Sequence, residues 1–226
     1  MLQFGNENKT CFILQFSWFA VPLPKSKRIM NRPINAHLEP QSEVGQIKAW
    51  QTLSTEYLIR RPWLTARRDK VELPNGKIFD EYYVLEYPDW VNMIAVTDDG
   101  RMIIERQWRQ ALGEISLEIP AGVIEKGEKP IEAAQRELAE ETGFTGGTWS
   151  RLLTIAPNSS TMSNRCHCFY AEGVHQTEGQ HLDATEDLQV LFKSRKEVFD
   201  MLSHGEFHQA MMVAPLYKYF MLHPIR

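Results

Sequence analysis

The chain has little of what several protein classes require. Only three of its 226 residues are cysteine, Cys11, Cys166 and Cys168, too few for a disulfide framework. No run of about 18 apolar residues exists, so no membrane span is expected. Basic residues are in deficit: 25 Lys and Arg against 29 Asp and Glu give a net charge of −4, which argues against a nucleic-acid-binding surface. No internal repeat or low-complexity linker interrupts the sequence. What is present is a 43% hydrophobic composition, enough for a real core in one large domain or a domain with a small appendage. A cytoplasmic protein is the expectation. The run Cys166-His167-Cys168 has metal-binding residue types, but its period-2 spacing puts both thiols on one face of a buried strand.

Taken in order, the first 29 residues fit poorly with the rest. An apolar run from Cys11 to Pro22 is followed by Lys25-Ser26-Lys27-Arg28, without a convincing signal-peptide cleavage site. Met30 offers an alternative start. Residues 1–29 are expected to be an upstream extension outside the fold, and residues 30–46 an irregular lead-in. Structure begins near Ile47 as a short helix or strand. Residues 64–73 and 77–87 are strand-like and flank Pro74-Asn75-Gly76, a strong hairpin signal. Residues 91–97 form a buried strand, Asp98-Asp99-Gly100 a turn, and residues 101–109 the next strand. Residues 151–156 form a strand, followed by a loop and another strand. Ser194 and Glu197 make a capping-box pattern, with Val198 and Leu202 on an apolar stripe that ends at Gly205. A last helix is expected over residues 207–222.

The remaining stretch, Gly122 to Phe144, organises the chain. Pro130 suits a first helical turn, Ala133, Ala134, Leu138 and Ala139 are good helix formers, and Gly143 supplies a stop. At about 100° per residue, Ile131, Ala134 and Leu138 share an apolar face. Glu137 and Glu141 stack at i,i+4 on its edge, where like charges repel. Arg136 and Glu140 make a second i,i+4 pair further toward solvent, with Arg136 pointing away from Glu137. A cation between Glu137 and Glu141 would turn their repulsion into binding energy. Oxygen ligands alone point to Mg²⁺ or Mn²⁺ rather than zinc.

Gly122, Glu128, Arg136-Glu137-Leu138, Glu140-Glu141 and Gly143 fall on the fixed positions of the pattern GX5EX7REUXEEXGU, where U is a bulky aliphatic residue. Phe144 at the last U is a mild departure. The stretch therefore resembles the Nudix box. The lead-in Leu117-Glu118-Ile119-Pro120-Ala121-Gly122, preceded by Gln107-Trp108-Arg109, resembles the ADP-ribose pyrophosphatase branch of that superfamily. The resemblance implies an α+β chain: an α/β/α sandwich with a mixed sheet (residues 91–226) and a small N-terminal antiparallel sheet subdomain (residues 47–90), after the extension 1–46.

It also implies hydrolysis of ADP-ribose, or a similar nucleoside diphosphate sugar, to AMP and a sugar phosphate. Two or three Mg²⁺ or Mn²⁺ ions would be held by Glu137, Glu141, Glu140 and the Ala121 carbonyl. Arg136 would orient the glutamates. Arg109 would touch the diphosphate, and Glu118 would stand near substrate or metal. Glu186 would activate the water, with Asp183 and Asp187 as rivals. Trp63, Trp50 or Phe79 would stack on the base. A proline usual in the branch is replaced by Ser159, with Pro157 two residues earlier, which leaves the sugar open. A homodimer joined through the small subdomain is implied. GDP-mannose, another sugar nucleotide or an oxidised nucleotide are alternative substrates. A sensor that binds without turnover is a further alternative, although such modules usually have a degraded box and an attached DNA-binding domain, whereas this sequence keeps every fixed box residue and shows no recognisable helix-turn-helix.

Overall fold

Strand-forming residues at both ends of the Asn75-Gly76 turn set the first sheet. In the computed structural model, which describes residues 47–182 and 187–225, β1 (Gln51–Arg61), β2 (Leu64–Glu72) and β3 (Ile78–Glu86) form an antiparallel sheet in that order. The segment read as helix or strand is thus a strand. The expected hairpin joins β2 to β3, with Gly76 N–H donating to the Leu73 carbonyl at 2.8 Å. Residues 1–46, including Cys11 and the proposed extension, lie outside the described residues.

The second sheet is mixed. It contains β4 (Trp90–Thr97), β5 (Arg101–Arg109), β8 (Phe144–Ile155), β9 (Cys166–Gln176) and β10 (Leu188–Ser194) in the order β10-β5-β4-β9-β8. β4 and β9 are parallel, and the other neighbours are antiparallel. β4 meets β5 at a single partner pair, Val96 and Met102. Beyond it the two strands part. β6 (Glu114–Glu118) pairs with β5, and β7 (Ala121–Val123) pairs with β4. The chain that carries the Gly122 motif therefore runs through the opening between them. A loop ties this sheet to the first: Leu85 N–H donates to Thr161 O at 2.7 Å, and Tyr82 Oη to Ser160 O at 2.9 Å.

Helices cover both faces, giving the expected α/β/α sandwich. β4 is buried along nearly its whole length, so it reads as a continuous apolar run. Val91, Met93 and Ala95 face α1 (Pro130–Thr142), with its fully buried Ala133, Ala134 and Leu138. Ile94 and Val96 face the other way, toward Val198 and Leu202 of α2 (Arg195–Ser203) and Met212, Leu216 and Tyr219 of α3 (Ala210–Leu222). Two small alanines on α1 let its backbone approach the sheet closely. The α2 capping box is present, Ser194 N–H donating to Glu197 Oε2 at 2.8 Å and Glu197 N–H to Ser194 Oγ at 3.2 Å.

Several expectations need correction. β8 starts at Phe144, seven residues before the expected strand, because Gly146-Gly147 resembles a turn in sequence. α3 starts at Ala210 rather than residue 207. Phe207 is buried ahead of it, where it fills the core without helical backbone. Cys166 and Cys168 are both buried, as the period-2 spacing requires. His167 turns to the opposite face and meets Asp89 Oδ2 at 2.9 Å. Among the described residues, no helix is long and apolar enough to cross a membrane.

Leu138 is fully buried between α1 and the sheet. Leu138→Ala should lower the unfolding free energy by about 3 kcal/mol, measured by urea denaturation with an unchanged slope.

Candidate active site

Helix α1 is held at both ends. Pro130 occupies its first turn, and Gly143 ends it in a left-handed conformation, φ 75°, with its N–H on the Ala139 carbonyl at 2.8 Å. A side chain at Gly143 would meet the Glu178 carbonyl at 2.3 Å, so glycine is required by space as well as by backbone. The last carbonyls of a helix have no partner within it. Here the following loop supplies donors. His181 N–H reaches Glu140 O at 2.8 Å, Gln180 Nε2 reaches Glu141 O at 2.8 Å, and Thr177 N–H reaches Gly143 O at 2.9 Å.

Glu137 and Glu141 are 8% and 3% exposed, so they do not belong to a solvated helix face. Both turn to the short strand β7. Ala121 N–H donates to Glu141 Oε2 at 3.0 Å, and Val123 N–H donates to Glu137 Oε1 at 3.2 Å. The two carboxylates thus take the backbone donors on either side of Gly122. Between them there is no room for a β-carbon: one built on Gly122 would lie 2.0 Å from the Glu137 carboxyl carbon. The glycine is there for close approach.

Arg136 is where the structure departs most from the sequence reading. It does not point away from Glu137. Its Nη1 donates to Glu137 Oε1 and Glu140 Oε2, both at 2.9 Å, and its Nη2 to the Val123 carbonyl at 2.9 Å and Glu128 Oε2 at 3.0 Å. Nε donates to Glu128 Oε1 at 2.9 Å. A guanidinium has five N–H donors, and all are used. The side chain reaches back along the helix, as long side chains do, and this carries it over the loop. The Glu128 hydrogen bond, followed by the Glu137 charge, raises the Arg136 pKa. The same bond to Arg136 holds Glu128 below the ordinary carboxylate range. Glu140, the expected i,i+4 partner, is half exposed at this cluster.

A second charged group lies on the same side of the sheet. Ile103 on β5 faces α1, so Glu105, Gln107 and Arg109 do too by alternation; Glu118 and Ser116 on β6 pair opposite Glu105 and Gln107. Arg109 Nε and Nη2 bind Glu118 Oε1 and Oε2 at 2.7 and 2.6 Å, a bidentate pair. Arg109 and Glu118, each expected at the substrate, are therefore joined to each other. Glu118 is 1% exposed, so it is neither a turn cap nor a surface acid. Its hydrogen bond raises the Arg109 pKa against the cost of burial, and the charges of Glu141 and Glu105 add to the rise. Glu105, also 1% exposed, was missed by sequence reading. The available signal was a glutamate placed in phase with Ile103 at the end of an apolar run.

The donor set suits a hard cation. Among the described residues no three acidic, histidine or cysteine side chains converge as a ready-made ion cage. Mg²⁺ rarely uses one: it keeps several waters and takes one or two carboxylates together with substrate phosphates. Buried Glu105, Glu118, Glu137 and Glu141 outnumber the two arginines among them, and the excess negative charge favours divalent ions. The Ala121 carbonyl lies on the same short strand that Glu137 and Glu141 approach. The other expected residues are less gathered. Trp63 is 80% exposed on the turn between β1 and β2. Trp50 packs edge-on against Tyr82, and Phe79 is half exposed on β3. Glu186 and Asp183 lie outside the described residues, while Asp187 is exposed just before β10.

Comparison with known proteins agrees with this geometry. Residues 87–212 match the NUDIX domain, and residues 50–85 match the nucleoside diphosphate sugar hydrolase N-terminal domain. An ADP-ribose pyrophosphatase of Bacillus subtilis is 31% identical over 161 residues, 71% of this chain and 86% of that protein. A methanol dehydrogenase activator of Bacillus methanolicus is 32% identical over 135 residues, 60% and 72% of the two chains. The crystal structure of an ADP compounds hydrolase superposes with a TM-score of 0.69 at 23% identity, covering 79% of this chain and 98% of that one, which shows a common fold. The box residues that meet around Gly122, in a matched domain spanning more than half the sequence, make this chain a member of the Nudix family.

Proposed function

We propose that the protein hydrolyses the diphosphate bond of ADP-ribose, or of a related nucleoside diphosphate sugar, giving AMP or another nucleoside monophosphate and a sugar phosphate. The observation that carries this reading is the buried pair Glu137 and Glu141 on either side of Gly122, braced by Arg136. Similarity to an ADP-ribose pyrophosphatase supports the substrate class.

Glu137, Glu141, Glu140 and the Ala121 carbonyl would hold two or three Mg²⁺ or Mn²⁺ ions. When bound, such ions neutralise the diphosphate and acidify a coordinated water. Glu140 would share its carboxylate with Arg136. Arg136 keeps Glu137 oriented and fastens the loop to the helix. Arg109, anchored on Glu118, offers its remaining N–H groups to a phosphate oxygen. In the reaction, water forms a new P–O bond, and the bridging oxygen leaves with the other phosphate. The water proton passes to a carboxylate, for which we propose Glu186. Support for it comes from its flanks: His181 is tied to the end of α1, and Leu188 pairs with Gln107 on β5. The exposed rings of Trp63, Trp50 and Phe79 are the candidates for stacking on the base.

We also propose a cytoplasmic homodimer. The free thiols of buried Cys166 and Cys168 suit a reducing compartment. β1 is exposed at every position and lies at a sheet edge, with Leu53, Tyr57 and Ile59 open to solvent. Edges and apolar patches of this kind mark association surfaces.

Three outcomes are expected. Glu141→Gln should lower Mg²⁺-dependent release of AMP from ADP-ribose by at least about a hundredfold; normal turnover, or binding without product in the native protein, would refute the enzyme reading. Gly122→Ala should fold yet lose comparable activity, because its methyl group displaces the Glu137 carboxyl; a melting temperature within about 4 °C separates this from unfolding. In light scattering the chain should weigh about twice 26.2 kDa, and Ile59→Asp should shift it to the monomer.

A further inference from the structure

Ser116 is 2% exposed, and its hydroxyl has no hydrogen-bond partner among the described residues. A buried hydroxyl left alone costs about 1–3 kcal/mol, and such groups are normally satisfied by protein, water or ligand. Its place on β6 is specific. Ser116 pairs with Gln107 and lies two residues from Glu118 on the same face. Arg109 starts opposite Glu114 but grips Glu118 with its guanidinium. Its side chain must therefore run along the strand past the Gln107–Ser116 pair. The Ser116 hydroxyl thus stands alongside Arg109, whose guanidinium has N–H donors beyond the two that Glu118 takes. Gln107, half buried, is its neighbour across the strand pair, and Leu188 at the start of β10 pairs with Gln107 in turn.

We propose that Ser116 is a substrate-binding residue: its hydroxyl donates a hydrogen bond to a phosphate oxygen of the nucleoside diphosphate that Arg109 engages. A hydroxyl can donate or accept. Beside a guanidinium and a buried carboxylate pair, the group that completes it is an anionic oxygen brought by the ligand. Arg109 supplies the charge, and Ser116 supplies direction. The role rests on the diphosphatase reading above, and it adds a contact on β6 to the carboxylates of α1.

The test compares wild type with Ser116→Ala in Mg²⁺-dependent ADP-ribose hydrolysis, with inorganic diphosphate as competitor. KM and the inhibition constant of inorganic diphosphate should both rise by at least about tenfold, the worth of one hydrogen bond to a charged group, while kcat stays within about twofold. The melting temperature should hold or rise, because the unsatisfied hydroxyl is gone. An unchanged KM would overturn the proposal, whatever happens to stability, and would leave Ser116 as a hydroxyl served by buried water. A raised KM with unchanged diphosphate inhibition would also overturn it, since the contact would then be to the sugar. If wild type fails to hydrolyse ADP-ribose, the functional reading fails separately. Calorimetric ADP-ribose binding to both proteins then decides: a Kd raised at least about tenfold in the variant (the same hydrogen-bond value) supports the contact, and equal affinities or no binding overturn it.

Discussion

Negative charge gathers in this protein where the loop through Gly122 meets α1 at close approach, and the five-fold grip of Arg136 makes that tolerable. Glu128, Glu137 and Glu140 would repel one another if left to themselves. One planar cation reaches all three and also the Val123 carbonyl. The guanidinium geometry is what allows it: a lysine is a point charge with three donors and could not span the loop and the helix together. Because the same group holds loop and helix, the positions of Glu137 and of β7 are a single quantity.

The rest of the fold serves that junction. The parting of β4 from β5 after Val96 and Met102 admits β6 and β7 into the sheet. β7 then brings two backbone N–H groups to Glu137 and Glu141, and β6 brings Glu118 to Arg109. Alanines at 133 and 134 set how near α1 can lie, and the missing β-carbon at Gly122 removes the last obstacle. Burial in this region is polar on one side and apolar beneath. This explains why an apolar stripe as ordinary as Ile131, Ala134 and Leu138 can support so much charge.

Much of this was legible in the sequence, for identifiable reasons. The helix over the box was announced by Pro130, the alanines and Gly143, which are local signals with local causes. The sandwich and the small sheet followed from the Nudix resemblance and the Asn75-Gly76 turn. The direction of Arg136 was not legible. A helical wheel places a Cβ and ignores that a long side chain runs back along its own helix to meet a loop. Glu105 was hidden because one glutamate after an apolar run reads as the end of burial, whereas strand pairing with β6 and β10 continues the cover. The mutual pairing of Arg109 and Glu118 depends on strand register, which no short motif encodes. The start of β8 was masked by Gly146-Gly147, whose turn-like composition is overruled by pairing with β9.

The loop that finishes α1 has a further consequence. His181 is pinned to the helix end and Leu188 to the neighbouring strand, so the six residues between them connect two fixed posts. The nearer post also closes the carbonyl end of α1 through His181 and Gln180. A change that freed these donors would leave the Glu140 and Glu141 carbonyls without them and fray the turn that carries both side chains.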